Sequence, residues 1–210
     1  MLYVFDWDGT LVDSIGRIVE SLKLAAAELS LEMLTDQQYR EVIGLGLTEA
    51  VNHLYPMADE RLQVAMKEAY SKHFVAADVA PCPFFCGVTD TLEALHKEGH
   101  HLAVATGKSR RGLDRVLTQL QWHDYFHATR CADETASKPH PLMLHEIMDA
   151  LGVPSHEAVM VGDTDFDLHM AHHAGMRSVG VSYGAHNLER LEAARPSAII
   201  HRFTDLLEVI

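Results

Sequence analysis

Leu2-Tyr3-Val4-Phe5-Asp6-Trp7-Asp8-Gly9-Thr10 sets a short apolar run against two carboxylates one residue apart, followed by a glycine. A run of this length, ended by a turn signal, predicts a buried strand whose end delivers Asp6 and Asp8 together. Ala105-Thr106-Gly107, Lys138-Pro139 and Gly162-Asp163-Thr164-Asp165-Phe166-Asp167 follow in that order, each after another run that predicts a buried strand. The strands expected are Leu2 to Phe5, Leu102 to Thr106, His127 to Cys131, Ala158 to Gly162, Ser178 to Val181 and Ala198 to Ile200, with helices after most of them. Strands alternating with helices predict an α/β fold, a parallel sheet covered on both faces. Ligands of such sheets bind beyond the carboxyl ends of the strands, so the four polar stretches point to one site.

The chemistry follows from the residue types. A carboxylate can act as a nucleophile toward phosphorus and form an aspartyl-phosphate, which splits one difficult displacement into two easier ones. Asp6 is the candidate nucleophile. Asp8 is the candidate acid and base, protonating the leaving oxygen and later taking a proton from the hydrolytic water. An ionised Asp approaching a phosphate monoester of charge about −1.5 to −2 meets repulsion of about 4 kcal/mol per unit pair at 4 Å and an effective dielectric of 20. Cations must offset this. Asp6 and Asp163 offer hard oxygen ligands suited to Mg²⁺, and Lys138 adds a positive charge from a loop, the extended conformation being favoured before proline. Thr106, with Gly107 permitting close approach of the backbone, can hold the equatorial phosphoryl oxygens. Lys108 is a secondary candidate for the same oxygens.

The four stretches resemble the four signature motifs of the haloacid dehalogenase-like hydrolase superfamily, and the resemblance covers nearly the whole chain. It implies a three-layer Rossmann-like parallel-sheet core with an inserted all-helical cap domain, and a phosphatase that binds magnesium. It places the main-chain carbonyl of Asp8 beside Asp6 and Asp163 on the metal, assigns Asp167 to the waters around that metal, and gives Gly9, Thr106, Gly107 and Lys138 to phosphate binding. The spacing GDTxxDxxxAxxAG is similar to the phosphoglycolate phosphatase branch. Two positions depart from that branch: Gly107, where Asn is frequent, and Phe166, where a polar residue is frequent. The substrate class therefore stays a small phosphorylated metabolite, with nucleotide, sugar phosphate and pyrophosphate open beside phosphoglycolate. A sugar phosphomutase of the β-phosphoglucomutase type would use the same four motifs, and a non-catalytic metabolite- or partner-binding module is the reading from outside enzymology. A 2-haloacid dehalogenase is disfavoured by Asp8.

Between the first motif and Pro81-Cys82-Pro83 the periodicity changes. Ile15, Ile18, Val19, Leu22, Ala26 and Leu29 recur at helical spacing, as do Leu62, Ala65, Met66, Ala69 and Phe74, and Thr35-Asp36-Gln37-Gln38 predicts a capping box opening a helix toward Ile43. Residues 14–80 are thus expected to form the helical cap, and 1–13 with 81–210 the core. Gly44-Leu45-Gly46 is the candidate substrate loop of the cap, and Arg17 a further cap candidate. His169, His172 and His173 alternate with apolar residues, which fits the wet face of an amphipathic helix better than a second metal site. Cys82 and Cys86 lack the partners of a zinc site.

The chain has 210 residues, 48% of them hydrophobic, enough for one sizeable core with a modest insertion. A formal charge of −13 opposes binding to nucleic acid or anionic lipid and favours small substrates. Three cysteines and no apolar run near the roughly 20 residues of a membrane span predict a reduced, cytoplasmic protein with no membrane partner. No feature of the sequence specifies an oligomer.

Overall fold

A computed structural model describes residues 1–77 and 81–209. Six strands form one parallel sheet: β1 (Leu2–Phe5), β2 (His101–Thr106), β3 (Ala128–Cys131), β4 (Ala158–Gly162), β5 (Arg177–Val181) and β6 (Ala198–Ile200), in the order β3-β2-β1-β4-β5-β6. β1 lies between β2 and β4, with Phe5 level with Val104 on one side and Val161 on the other. The order reverses here, so the crevice at the carboxyl ends of β1 and β4 is the topological switch point.

The central strands are apolar throughout because both faces are covered. Tyr3, Phe5, Leu102, Val104, Val159 and Val161 point to one side, where α5 (Val88–Lys97) and α6 (Arg110–Leu120) supply Leu92, Leu95, Leu113 and Leu117. Leu2, Val4, Ala103, Ala105, Ala158 and Met160 point to the other, against Met143, Leu144 and Ile147 of α7 (Leu142–Leu151) and Met170 and Ala171 of α8 (Asp165–His173). Period-two alternation along each strand thus divides one apolar run between two layers. Trp7 joins the first layer, its ring edge-on to Phe84 and Phe126.

Between β1 and α5 come only helices among the described residues: α1 (Ile15–Glu28), α2 (Asp36–Arg40), α3 (Leu47–Leu54) and α4 (Glu60–Ala76). They bury a separate cluster: Ile15, Ile18, Val19 and Leu22 of α1 meet Val51 of α3 and Met66, Ala69 and Phe74 of α4. Burying each such side chain is worth about 1.5–3 kcal/mol, so the apolar stripes alone account for the association of α1 with α4. The Thr35 capping box forms: the Thr35 hydroxyl accepts from Gln38 N–H at 3.3 Å, and Gln38 Oε1 accepts from Thr35 N–H at 3.0 Å. α2 nevertheless stops at Arg40, short of Ile43, and the chain turns before Gly46 caps α3, a helix too short for its period to be read separately. The expected boundary at residue 80 lies outside the described residues.

Candidate active site

The sheet topology brings the four polar stretches together. Asp6 leaves β1 with its N–H bonded to Val161 O at 2.9 Å, which sets it beside the end of β4, where Asp163 emerges. Thr106 closes β2 on the other flank of β1, and Lys138 comes from the loop between β3 and α7. Its side chain is fully buried, with Nζ 2.6 Å from Asp6 Oδ1 and 2.7 Å from Asp167 Oδ1.

Each acid is aimed by a neighbour. Asp163 Oδ1 accepts from the Thr10 hydroxyl at 2.8 Å and Oδ2 from Ala185 N–H at 2.7 Å. Asp167 sits in the first turn of α8 in a reciprocal cap: its Oδ2 accepts from Thr164 N–H at 3.1 Å and from the Thr164 hydroxyl at 2.7 Å, while the hydroxyl accepts from Asp167 N–H. That cap leaves Asp167 Oδ1 for Lys138. Asp8 turns away from this cluster, to the Ser14 hydroxyl at 2.6 Å and to Lys108 Nζ at 3.0 Å. Asp165, between the two clustered acids, also turns away. It pairs with Arg190 at 2.7 Å, and although burial raises its carboxyl, the hydrogen bonds from His186 and Arg190 win and hold it down at about 2.

Gly9 has φ +83°, and a Cβ there would run into the Asp163 carboxylate. The glycine thus makes room for the acid. Thr106 is fully buried, and its oxygen accepts from Lys108 N–H at 3.2 Å, leaving the hydroxyl proton free to donate. A Cβ at Gly107 would lie 2.5 Å from Leu45 O and 2.7 Å from Gly44 O, so the backbone of the Gly44–Gly46 loop rests directly on this glycine. Gly46 N–H donates to Ser137 Oγ at 2.8 Å, next to Lys138. Arg17 lines a pocket with Asp8, Ser14, Phe74 and Lys108, its guanidinium 5.8 Å from the Phe74 ring. His169, His172 and His173 lie on the exposed face of α8.

One carboxylate oxygen from each of Asp6, Asp163 and Asp167 lies within 4.8 Å of the others, and all three residues are buried. One ammonium serves three carboxylates. Burial raises the Asp6 carboxyl well above its usual range; Lys138 opposes the rise, and Asp167 and Asp163 add to it. Burial and then Asp167 push Asp163 up to about 6, against the hydrogen bonds from Ala185 and Thr10. Burial alone would lower the Lys138 ammonium, but Asp167 and Asp6 outweigh it and keep it charged. Asp6 Oδ2 is buried and receives no hydrogen bond from the described residues. An orphaned hard oxygen beside excess negative charge fits a divalent cation, the group that satisfies both at once.

Sequence reasoning gathered Asp6, Asp8, Thr106, Lys138, Asp163 and Asp167 around one crevice, and the structure places them there. It did not find Thr10, Ser14 or Thr164, the hydroxyls that aim the acids. Only Thr164 carried a local signal, the T-x-x-D spacing of a helix cap.

Residues 3–181 match the family model described as haloacid dehalogenase-like hydrolase. The probable phosphatase IndB of Dickeya dadantii is 36% identical over 98% of this chain and 91% of its own. The phosphoglycolate phosphatase of Aliivibrio fischeri is 29% identical over 100% of this chain and 96% of its own. Among solved structures, a predicted phosphoglycolate phosphatase from Haemophilus somnus superposes with a TM-score of 0.88 at 25% identity, covering 99% of this chain and 96% of that one.

Proposed function

Because the chain belongs to the haloacid dehalogenase-like hydrolases, we propose that its buried carboxylate cluster is the centre of a Mg²⁺-dependent phosphatase that hydrolyses a small phosphomonoester through an aspartyl-phosphate on Asp6. The observation that carries this reading is the Asp6 side chain: one oxygen is held by Lys138 at 2.6 Å and the other is buried without a donor, beside Asp163 at the switch point. Relatives named as phosphatases, matched over 91% and 96% of their own length, support the reaction class.

A magnesium ion held by Asp6, Asp163 and the Asp8 carbonyl would supply the charge that lets a carboxylate approach a phosphate dianion. Lys138 fixes the attacking carboxylate and neutralises part of the transferring group's charge. The Thr106 hydroxyl and neighbouring N–H groups bind the equatorial oxygens, where phosphoryl transfer depends on positioning and electrostatics. The Asp6 oxygen forms the new P–O bond while the bond to the leaving oxygen breaks, and that oxygen takes the proton of the Asp8 carboxyl. Asp8, now a carboxylate, takes a proton from water, whose oxygen displaces Asp6 and releases inorganic phosphate. Asp167 holds Lys138 and would hold waters of a bound metal.

We assign 14–80 as a cap whose Gly44–Gly46 loop closes over the phosphate site, and 1–13 with 81–210 as the core. Its docking on Gly107 and Ser137 supports that role, and closure of such a segment excludes water and completes recognition. Three free cysteines, Cys82, Cys86 and Cys131, fit a reducing cytoplasm.

Phosphate release from a panel of small phosphomonoesters, with and without Mg²⁺, tests the reading. Wild type should release phosphate only with the metal, and Asp6→Asn should keep the fold and lose at least about 10³-fold in rate. Near-normal turnover by Asp6→Asn would overturn the mechanism.

A further inference from the structure

Two lysines serve the crevice, and they pair with different carboxylates. Lys138 belongs to Asp6 and Asp167. Lys108 belongs to Asp8: its ammonium lies 3.0 Å from Asp8 Oδ2, with both side chains only 11% exposed. It does not turn toward the Thr106 hydroxyl, which it meets only through its main-chain N–H. Beyond Asp8 the same ammonium borders a pocket walled by Trp7, Phe84, Ser14 and Phe74. Asp8 and Arg17 line the same pocket, so a leaving group seated there would lie against the Asp8 carboxyl. The Phe74 ring of α4 lies over the ammonium at 4.9 Å from its centroid, a cation–π contact between the helical segment and the core.

Building on the phosphatase reading, we propose that Lys108 is a catalytic residue of the leaving-group side. When the bond from phosphorus to the leaving oxygen breaks, the electron pair stays on that oxygen, which takes the Asp8 proton. Negative charge therefore moves from the leaving oxygen onto Asp8. Lys108 faces both, and the ammonium–carboxylate pair at 3.0 Å is the arrangement reached once the proton has gone. In this nearly dry position the charge is screened little by solvent, so the ammonium acts at close to full strength. Phe74 holds it there while α4 lies against the core, so the leaving-group side is complete only with the helical segment in place. Leaving groups that depart as poor, basic oxyanions depend on Lys108 most.

The experiment is a series of aryl phosphates from p-nitrophenyl phosphate to phenyl phosphate, assayed with Mg²⁺ on wild type, Lys108→Met, Lys108→Arg and Phe74→Leu. Lys108→Met should lose about 3-fold in kcat/KM on the p-nitrophenyl ester and about 30-fold or more on the phenyl ester, steepening the dependence on leaving-group basicity. Lys108→Arg, which keeps the charge, should recover most of the phenyl ester rate. Phe74→Leu should change the slope in the same sense by about 2- to 3-fold, since its ring only holds the ammonium. A loss in Lys108→Met that is equal across the series would overturn the proposal and leave the phosphatase reading standing. Absence of Mg²⁺-dependent release by wild type from every ester would overturn both.

Discussion

At the seam between sheet and helical cap, the two sides contribute different kinds of atoms. The core loops contribute side chains: Asp6, Asp8, Thr106, Lys138, Asp163 and Asp167 all come from residues at or just past strand ends. The cap touches the phosphate end through its main chain, with Gly44 O and Leu45 O lying on Gly107 and Gly46 N–H on Ser137. Cap side chains reach the site beside Asp8, where the Ser14 hydroxyl bonds its carboxylate at 2.6 Å and the Phe74 ring lies over Lys108. The core can therefore be identified by residue type, because its chemistry needs carboxylates and an ammonium. Many sequences could supply the cap's main-chain contacts, provided glycines let the strands of backbone approach.

The sharpest break in this comparison comes from the core. Lys138→Met removes the ammonium shared by Asp6 and Asp167 and leaves two buried carboxylates unpaired. Breaking a buried pair from one side costs about 3–5 kcal/mol, which thermal or denaturant unfolding without metal would read directly. Added Mg²⁺ should return part of the loss while turnover stays low, because the metal restores charge balance and leaves the nucleophile unaimed. Full stability without metal would mean that the cluster does not hold these acids ionised.

The protonation of the same cluster gives a second core prediction. Asp163 is raised to about 6 in the folded protein, against an ordinary carboxylate of about 4 when unfolded. Between those values the folded state binds more protons than the unfolded state, so metal-free stability should fall as pH rises from about 4 through about 6. The size is on the order of 2 kcal/mol. Mg²⁺ competes with that proton, so its thermal stabilisation should be larger at pH 7.5 than at pH 5. Asp163→Asn should weaken both trends, the raised Asp6 carboxyl supplying what remains. A pH-independent Mg²⁺ effect in wild type would remove Asp163 from the metal's ligands.

How far the sequence could be read follows the same division. β1, β4 and β6 have the bounds expected from their apolar runs; for β1 and β4 this is because a strand buried on both faces is apolar to its ends. β2, β3 and β5 each differ from expectation by one residue at the start, where His101, His127 and Arg177 meet the sheet edge and polarity no longer marks a limit. The acids were legible because Asp6 and Asp163 each directly follow a strand, with Asp8 and Asp167 at short fixed spacings after them. The Thr10 hydroxyl was not, since it aims an acid 153 residues away, and neither was Ser14, whose spacing of six residues from Asp8 matches no regular element. Lys108 was read as a phosphate ligand from its place after Thr106; only the packing of α4 shows its ammonium held on Asp8.

The cap offers smaller but more selective changes. Gly107→Ala puts a methyl group where Leu45 O and Gly44 O now lie, at separations that backbone cannot tolerate without moving. Overpacking of this kind costs about 1–3 kcal/mol, and the loop from Gly44 to Gly46 must lift. KM for the best ester should rise by about 10-fold, with metal-free stability lowered by no more than that overpacking cost because the core sheet is untouched. An unchanged KM would mean that the loop does not close on substrate.

Ser137→Ala is the mildest test, and it separates main-chain docking from everything else at the seam. The mutation deletes one acceptor, Ser137 Oγ, and leaves Gly46 N–H to find water when the loop is down. A hydrogen bond of this class contributes about 1 kcal/mol net, which corresponds to a KM increase of about 5-fold with kcat held, since the Lys138 ammonium is placed by its two ion pairs and Ser137 Oγ reaches only the Lys138 main-chain carbonyl, at 3.3 Å. A fall in kcat at unchanged KM would instead tie Ser137 to the position of Lys138, and the hydroxyl would then belong with the core side chains.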